Sequence, residues 1–75
     1  MEPSYKGVPR RIYRGRILKS LHSGALTPTE IGHRVVDGFR NSDISWIRKT
    51  LVMMEEDGLI VVSRRRRIET VTIAR

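Results

Sequence analysis

Four arginines stand in an unbroken run at Arg64–Arg67, and Arg10, Arg11, Arg14 and Arg16 crowd one stretch near the amino end. Guanidinium groups at such density do one kind of chemistry well: planar, bidentate hydrogen bonding to phosphate oxygens and guanine edges. The chain holds fifteen Lys and Arg against eight Asp and Glu, a formal charge of +7. That charge is polarised. Residues 1–19 set Lys6, Arg10, Arg11, Arg14, Arg16 and Lys19 against Glu2 alone, a net +5. Residues 64–75 set five Arg against Glu69, a net +4, while the stretch between them comes to −2. Twelve of the fifteen cations are Arg. A merely solubilising surface intersperses the signs and uses more Lys, so the pattern points to a polyanionic partner.

Other chemistries find no residues to carry them. There is no cysteine, which excludes disulfide scaffolds, thiolate zinc sites, Fe–S clusters and thiol catalysis. His22 and His33 stand apart with no acid at ligand spacing, so no metal site is expected. Asp43, Glu55, Glu56 and Asp57 read as helix-dipole and solubility residues, and no phosphate-binding glycine loop or nucleophile motif occurs. At 75 residues the chain is one small domain, too small for a buried catalytic cleft. Neither an enzyme nor a cofactor is expected. No apolar run spans a bilayer and no signal-peptide pattern opens the chain, so a cytoplasmic location is expected.

The elements that must position the arginines follow from local pattern. Residues 1–8, with Pro3, Ser4 and Gly7, read as a flexible basic arm. Pro9 starts a first helix whose apolar face is Tyr13, Ile17, Leu18 and Leu21, with Gly24 as its stop. Gly15 inside it costs about 1 kcal/mol relative to Ala, so this helix depends on packing. Ala25-Leu26 supplies a very short strand. Thr27-Pro28-Thr29-Glu30 is a capping box with Pro at the first helical position, opening a second helix with Ile31, Val35 and Val36 inward and ended by Asp37-Gly38. After a turn that tucks Phe39 into the core, Asn41 or Ser42 caps a third helix. Its stripe is Ile44, Ile47, Leu51 and Met54, and it stops at Gly58. Leu59–Val62 and Ile68–Ile73 are rich in β-branched residues and predict an antiparallel hairpin. Its all-Arg tip lacks the Gly, Asn or Asp of tight turns and predicts a longer, mobile loop.

Helix, short strand, helix, helix, strand, strand is an α+β order. It resembles the winged helix-turn-helix superfamily: a three-helix core followed by a two-stranded antiparallel wing over residues 9–75. The resemblance rests on Leu26-Thr27-Pro28-Thr29-Glu30-Ile31 and on Ile44 through Met54, which runs on into Glu55-Glu56-Asp57-Gly58-Leu59-Ile60. The hairpin to Ile73 completes it. It covers nearly the whole chain and does not separate MarR-like, PadR-like, phage and archaeal regulator branches. The resemblance implies a sequence-specific double-stranded DNA-binding protein, a small transcriptional regulator.

In that architecture the third helix enters the major groove, which makes Ser42, Ser45, Trp46, Arg48 and Lys49 its candidate base or phosphate contacts. Arg64, Arg65, Arg66 and Arg67 would lie on the backbone or in the adjacent minor groove. Arg10, Arg11, Arg14 and the arm would grip phosphates, joined by Thr27 and Thr29 at the start of the second helix. Thr27 is first of all a cap. Trp46 either reaches the duplex or covers the core edge under the wing. Val52 and Met53, if exposed, mark a partner surface, and the first helix, the arm or this patch would carry a homodimer. A protein-interaction module is the alternative from another class. RNA binding ranks below both, because no aromatic residue interleaves with the arginine run.

Overall fold

Thr27 opens the second helix as its sequence predicts. Its Oγ1 accepts from the Glu30 amide at 3.2 Å, while Glu30 Oε1 accepts from the Thr27 amide at 3.0 Å. The computed structural model describes residues 4–74, and within them this helix, α2, runs Pro28–Val35. It ends where Val36 turns extended, just before the predicted Asp37-Gly38 stop.

The first helix, α1, spans Arg10–Ser20 and passes into a 3₁₀ turn at Leu21–Ser23. Tyr13, Ile17 and Leu21 recur every four residues and are buried. Gly24, at φ 135°, terminates the segment. Gly15 is exposed, and a Cβ there would meet open space, so packing through Tyr13 and Ile17 carries the helix. The third helix, α3, spans Ile44–Glu56, preceded by a 3₁₀ turn at Asn41–Asp43. Ile47, Leu51 and Met54 face inward with the buried Thr50, whose hydroxyl donates to the Trp46 carbonyl at 3.0 Å. Neither Asn41 nor Ser42 caps this helix by its side chain. Asp43 reaches back instead to accept from the Arg40 amide at 2.9 Å. Between α2 and α3, Phe39 packs over Gly32, where any Cβ would overlap its ring.

Strands β3 (Ile60–Arg65) and β4 (Ile68–Ile73) form the C-terminal hairpin. The register pairs Arg65 with Ile68, which leaves a two-residue turn, Arg66-Arg67. Both turn residues take positive φ, 49° and 68°, as a type I′ turn requires. The long mobile loop expected from an all-Arg tip is therefore not formed. The strand twist selects the I′ turn, and two arginines are held in the left-handed region to make it. On its other side β4 meets Leu26, and Leu26 and Val71 exchange both backbone hydrogen bonds, at 3.1 and 2.7 Å. Because Val71 spends its N–H and C=O on Leu26, the facing Val62 turns its own outward. The Val62 amide donates to Glu55 Oε2 of α3 at 3.0 Å.

Residues 4–8 are not a flexible arm. Ser4–Tyr5 and Val8–Pro9 form a second antiparallel hairpin, β1–β2, around Lys6-Gly7, again with both φ positive, at 52° and 77°. Met1–Pro3, the rest of the expected arm, lie outside the described residues. The described residues form a small α+β domain of three α-helices and two two-stranded antiparallel sheets. One core, built on Tyr13, Ile17, Ile31, Ile47, Met54, Ile60 and Val71, joins the helices to the C-terminal hairpin.

Candidate nucleic-acid interface

The exposed side of α3 lies between the two hairpins. On one flank Tyr5 stacks on Trp46 with ring centroids 4.7 Å apart and planes 15° from parallel. Tyr13 meets Trp46 edge-on at 4.8 Å, and the Arg10 guanidinium lies 5.6 Å from the same ring. Trp46 is thereby half-buried and committed to holding β1–β2 against α1 and α3. It covers a core edge, though beneath the N-terminal hairpin and not the C-terminal one. Arg10 closes the cluster. Its Nη1 lies 3.1 Å from Met53 Sδ, and its buried Nε has no hydrogen-bond partner among the described residues.

Asp43 pins this flank. Its carboxylate accepts from the Tyr5 hydroxyl, from Lys6 Nζ at 3.0 Å and from the Arg40 amide. The Tyr5 hydroxyl above all, then the Arg40 amide and Lys6, hold its carboxyl at about 2, below an ordinary value of 3.8. Far from a solubility residue, Asp43 is buried and ties the hairpin to the start of α3. A depressed folded-state pKa contributes stability that is full above about pH 4 and fades as pH falls toward about 2. Acidification over that window is expected to loosen Tyr5 from Trp46 and change the indole fluorescence. An unchanged signal down to about pH 2 would show that the carboxylate does not hold the hairpin.

On the other flank Glu69 of β4 joins α3 to the C-terminal hairpin. Its carboxylate accepts from Arg48 Nη1 of α3 and from Arg64 Nε of β3, the latter at 3.3 Å. The Glu69 side chain is 18% exposed, against 51% for Arg48 and 76% for Arg64. The Arg48 guanidinium first, with Arg64 behind it, keeps the Glu69 carboxyl below its ordinary range.

Shallow grooves run along this flank and share Arg48. One is lined by Arg10, Arg48, Lys49, Val52 and Met53. Another takes in Thr27, Thr29, Arg48, Arg67 and Glu69, and a third Arg48, Val52, Glu55 and Arg64. Five predicted cations, Arg10, Arg48, Lys49, Arg64 and Arg67, thus line one connected surface along α3. Ser42, Ser45 and Thr29 are exposed, and the Thr27 hydroxyl is occupied as a cap.

Two expectations meet a different geometry. The arginine run is not one block: strand alternation sends Arg65 to the face opposite Arg64, into a separate groove with Ser63, Ile68 and Thr70 that the turn residue Arg66 joins. Arg14 pairs with Asp57 at 3.2 Å, at the far end of α3, and Arg11 is exposed on α1. Val52 and Met53 are exposed at 52% and 45%. The roles of Tyr5 and Glu69 escaped the sequence reading. Lys6-Gly7 between Tyr5 and Val8 is a hairpin signal that marks the first of them.

No protein-family model, curated protein or solved structure matches this chain. Geometry alone carries its reading. Among the described residues no cluster of three or more His, Asp or Glu is placed to hold a metal ion, and no helix is long and apolar enough to cross a membrane.

Proposed function

We propose that the chain is a winged helix-turn-helix protein that binds double-stranded DNA sequence-specifically and regulates transcription. The observation that carries this reading is the convergence of Arg10, Arg48, Lys49, Arg64 and Arg67 on one surface around α3. In this reading α2 and α3 are the helix-turn-helix pair, and Ser42, Ser45 and Lys49 of α3 meet base edges in the major groove. The C-terminal hairpin is the wing. Arg67 and Arg64 follow the backbone beside α3, and Arg65 and Arg66 reach across to the next stretch of backbone or the minor groove. The exposed Val52 and Met53 favour a second reading, a protein contact, either in a homodimer on two half-sites or as an interaction module.

The deciding experiment is a titration of duplex DNA at several salt concentrations. Neutralising about six phosphates gives a slope near −5 for log affinity against log salt. A flat dependence rejects the duplex reading. Duplexes selected from a random pool then report the motif, and a two-fold symmetric motif reports the dimer.

A further inference from the structure

Glu69 is an acid set among the cations of this surface, beside Glu55 in one of its grooves, and it is more buried than either arginine it holds. Arg48 holds it from the helix and Arg64 from the hairpin, so a single carboxylate joins the two elements that flank the groove. A helix–strand tie of two guanidiniums on one carboxylate stabilises little at such exposure. Packing through Ile60 and Val71 already fixes the hairpin on the helices. The carboxylate does change the surface: it occupies donors of two arginines that a phosphate oxygen would otherwise take, and it sets a negative charge beside the phosphate path. Arg64 engages it through Nε alone, and both guanidiniums remain at least half exposed.

Resting on the duplex reading, we propose that Glu69 is a positioning residue that stands in for phosphate and weakens the grip of this surface on any duplex backbone. It holds Arg48 and Arg64 in a phosphate-gripping arrangement, and any duplex must displace it, so binding through the backbone alone is held weak while base contacts at Ser45 and Lys49 still carry a cognate site. Indiscriminate backbone binding is the alternative that such a cationic surface otherwise favours.

The test compares the unmodified protein with Glu69→Gln on two probes: a duplex of scrambled sequence and one selected from a random pool by the unmodified protein. Removing one negative charge about 5 Å from the phosphates should tighten scrambled-duplex binding about fourfold. The salt slope should steepen by about 1, and the selected duplex should tighten by a similar factor. Equal affinity and slope for both proteins overturns the assignment and leaves duplex binding standing. Failure of both proteins to bind either probe sinks the duplex reading and the assignment together. Should Glu69→Gln lose its circular dichroism, the side-chain carboxyl carbon of Glu69 in the unmodified protein gives the same answer by NMR. Its resonance must shift when scrambled duplex is added, and a fixed resonance overturns the displacement.

Discussion

Replacing Arg66 by Asn and Arg67 by Gly is expected to stabilise the protein by about 1–2 kcal/mol while weakening the proposed duplex binding. The turn between β3 and β4 demands positive φ at both central residues, and Arg supplies it at 49° and 68°. For an L residue with a Cβ the left-handed region costs about 1–2 kcal/mol. Asn and Gly adopt it readily, and the extra freedom of Gly in the unfolded chain returns only part of the gain. Both side chains are exposed, so no packing is lost. The β1–β2 hairpin already uses the easier solution, Lys6-Gly7, for the same kind of turn. Urea denaturation measures the stability change, and the salt slope for duplex binding should flatten by about 2 as two cations leave. A more stable variant with undiminished binding would show that the strained arginines serve no polyanion.

Trp46→Ala carries the largest expected loss, about 2–4 kcal/mol, within the range for deleting a large aromatic side chain and scaled for partial exposure. The indole is the shared surface of Tyr5, Tyr13 and Arg10, so its removal unseats the N-terminal hairpin as well as opening a void. Trp46→Phe keeps a stacking face for Tyr5 and is expected to recover about half of the loss. Denaturation of the two variants, set beside their duplex affinities, separates packing from contact. A Trp46→Ala protein of full stability but poor binding would return this residue to the list of duplex contacts.

What could be read from the sequence was whatever is decided within a few residues. Thr27-Pro28-Thr29-Glu30 satisfies its own orphan amides, and α2 begins where those residues say it must. The stripe of Ile47, Leu51 and Met54 turns one side of α3 inward regardless of what it meets there. The hairpin over Ile68–Ile73 was equally plain, because its β-branched run has one natural partner. The N-terminal hairpin was not plain. Two-residue strands have no stability of their own, and β1–β2 exists through Trp46 and Asp43, some forty positions away. The tip of β3–β4 misled for the opposite reason. Local preference argues against Arg in a I′ turn, and the register of the long strands overrules it. Once that register is fixed, the division of Arg64 and Arg65 onto opposite faces follows from the two-residue period of a strand.

The bond from the Val62 amide to Glu55 has a bearing on how this molecule behaves in a crowd. β3 is an outermost strand, and its far side would offer open donors and acceptors to any extended chain. The neighbouring Val61 and Ile68 would give such a visitor an oily bed to lie on. A carboxylate parked on that rim claims a donor the newcomer needs and presents it with negative charge. The arginines ahead on the same strand set two like-charged copies against each other. One side chain of α3 thus guards this rim, and a second strand adding along it would have to begin by evicting that carboxylate.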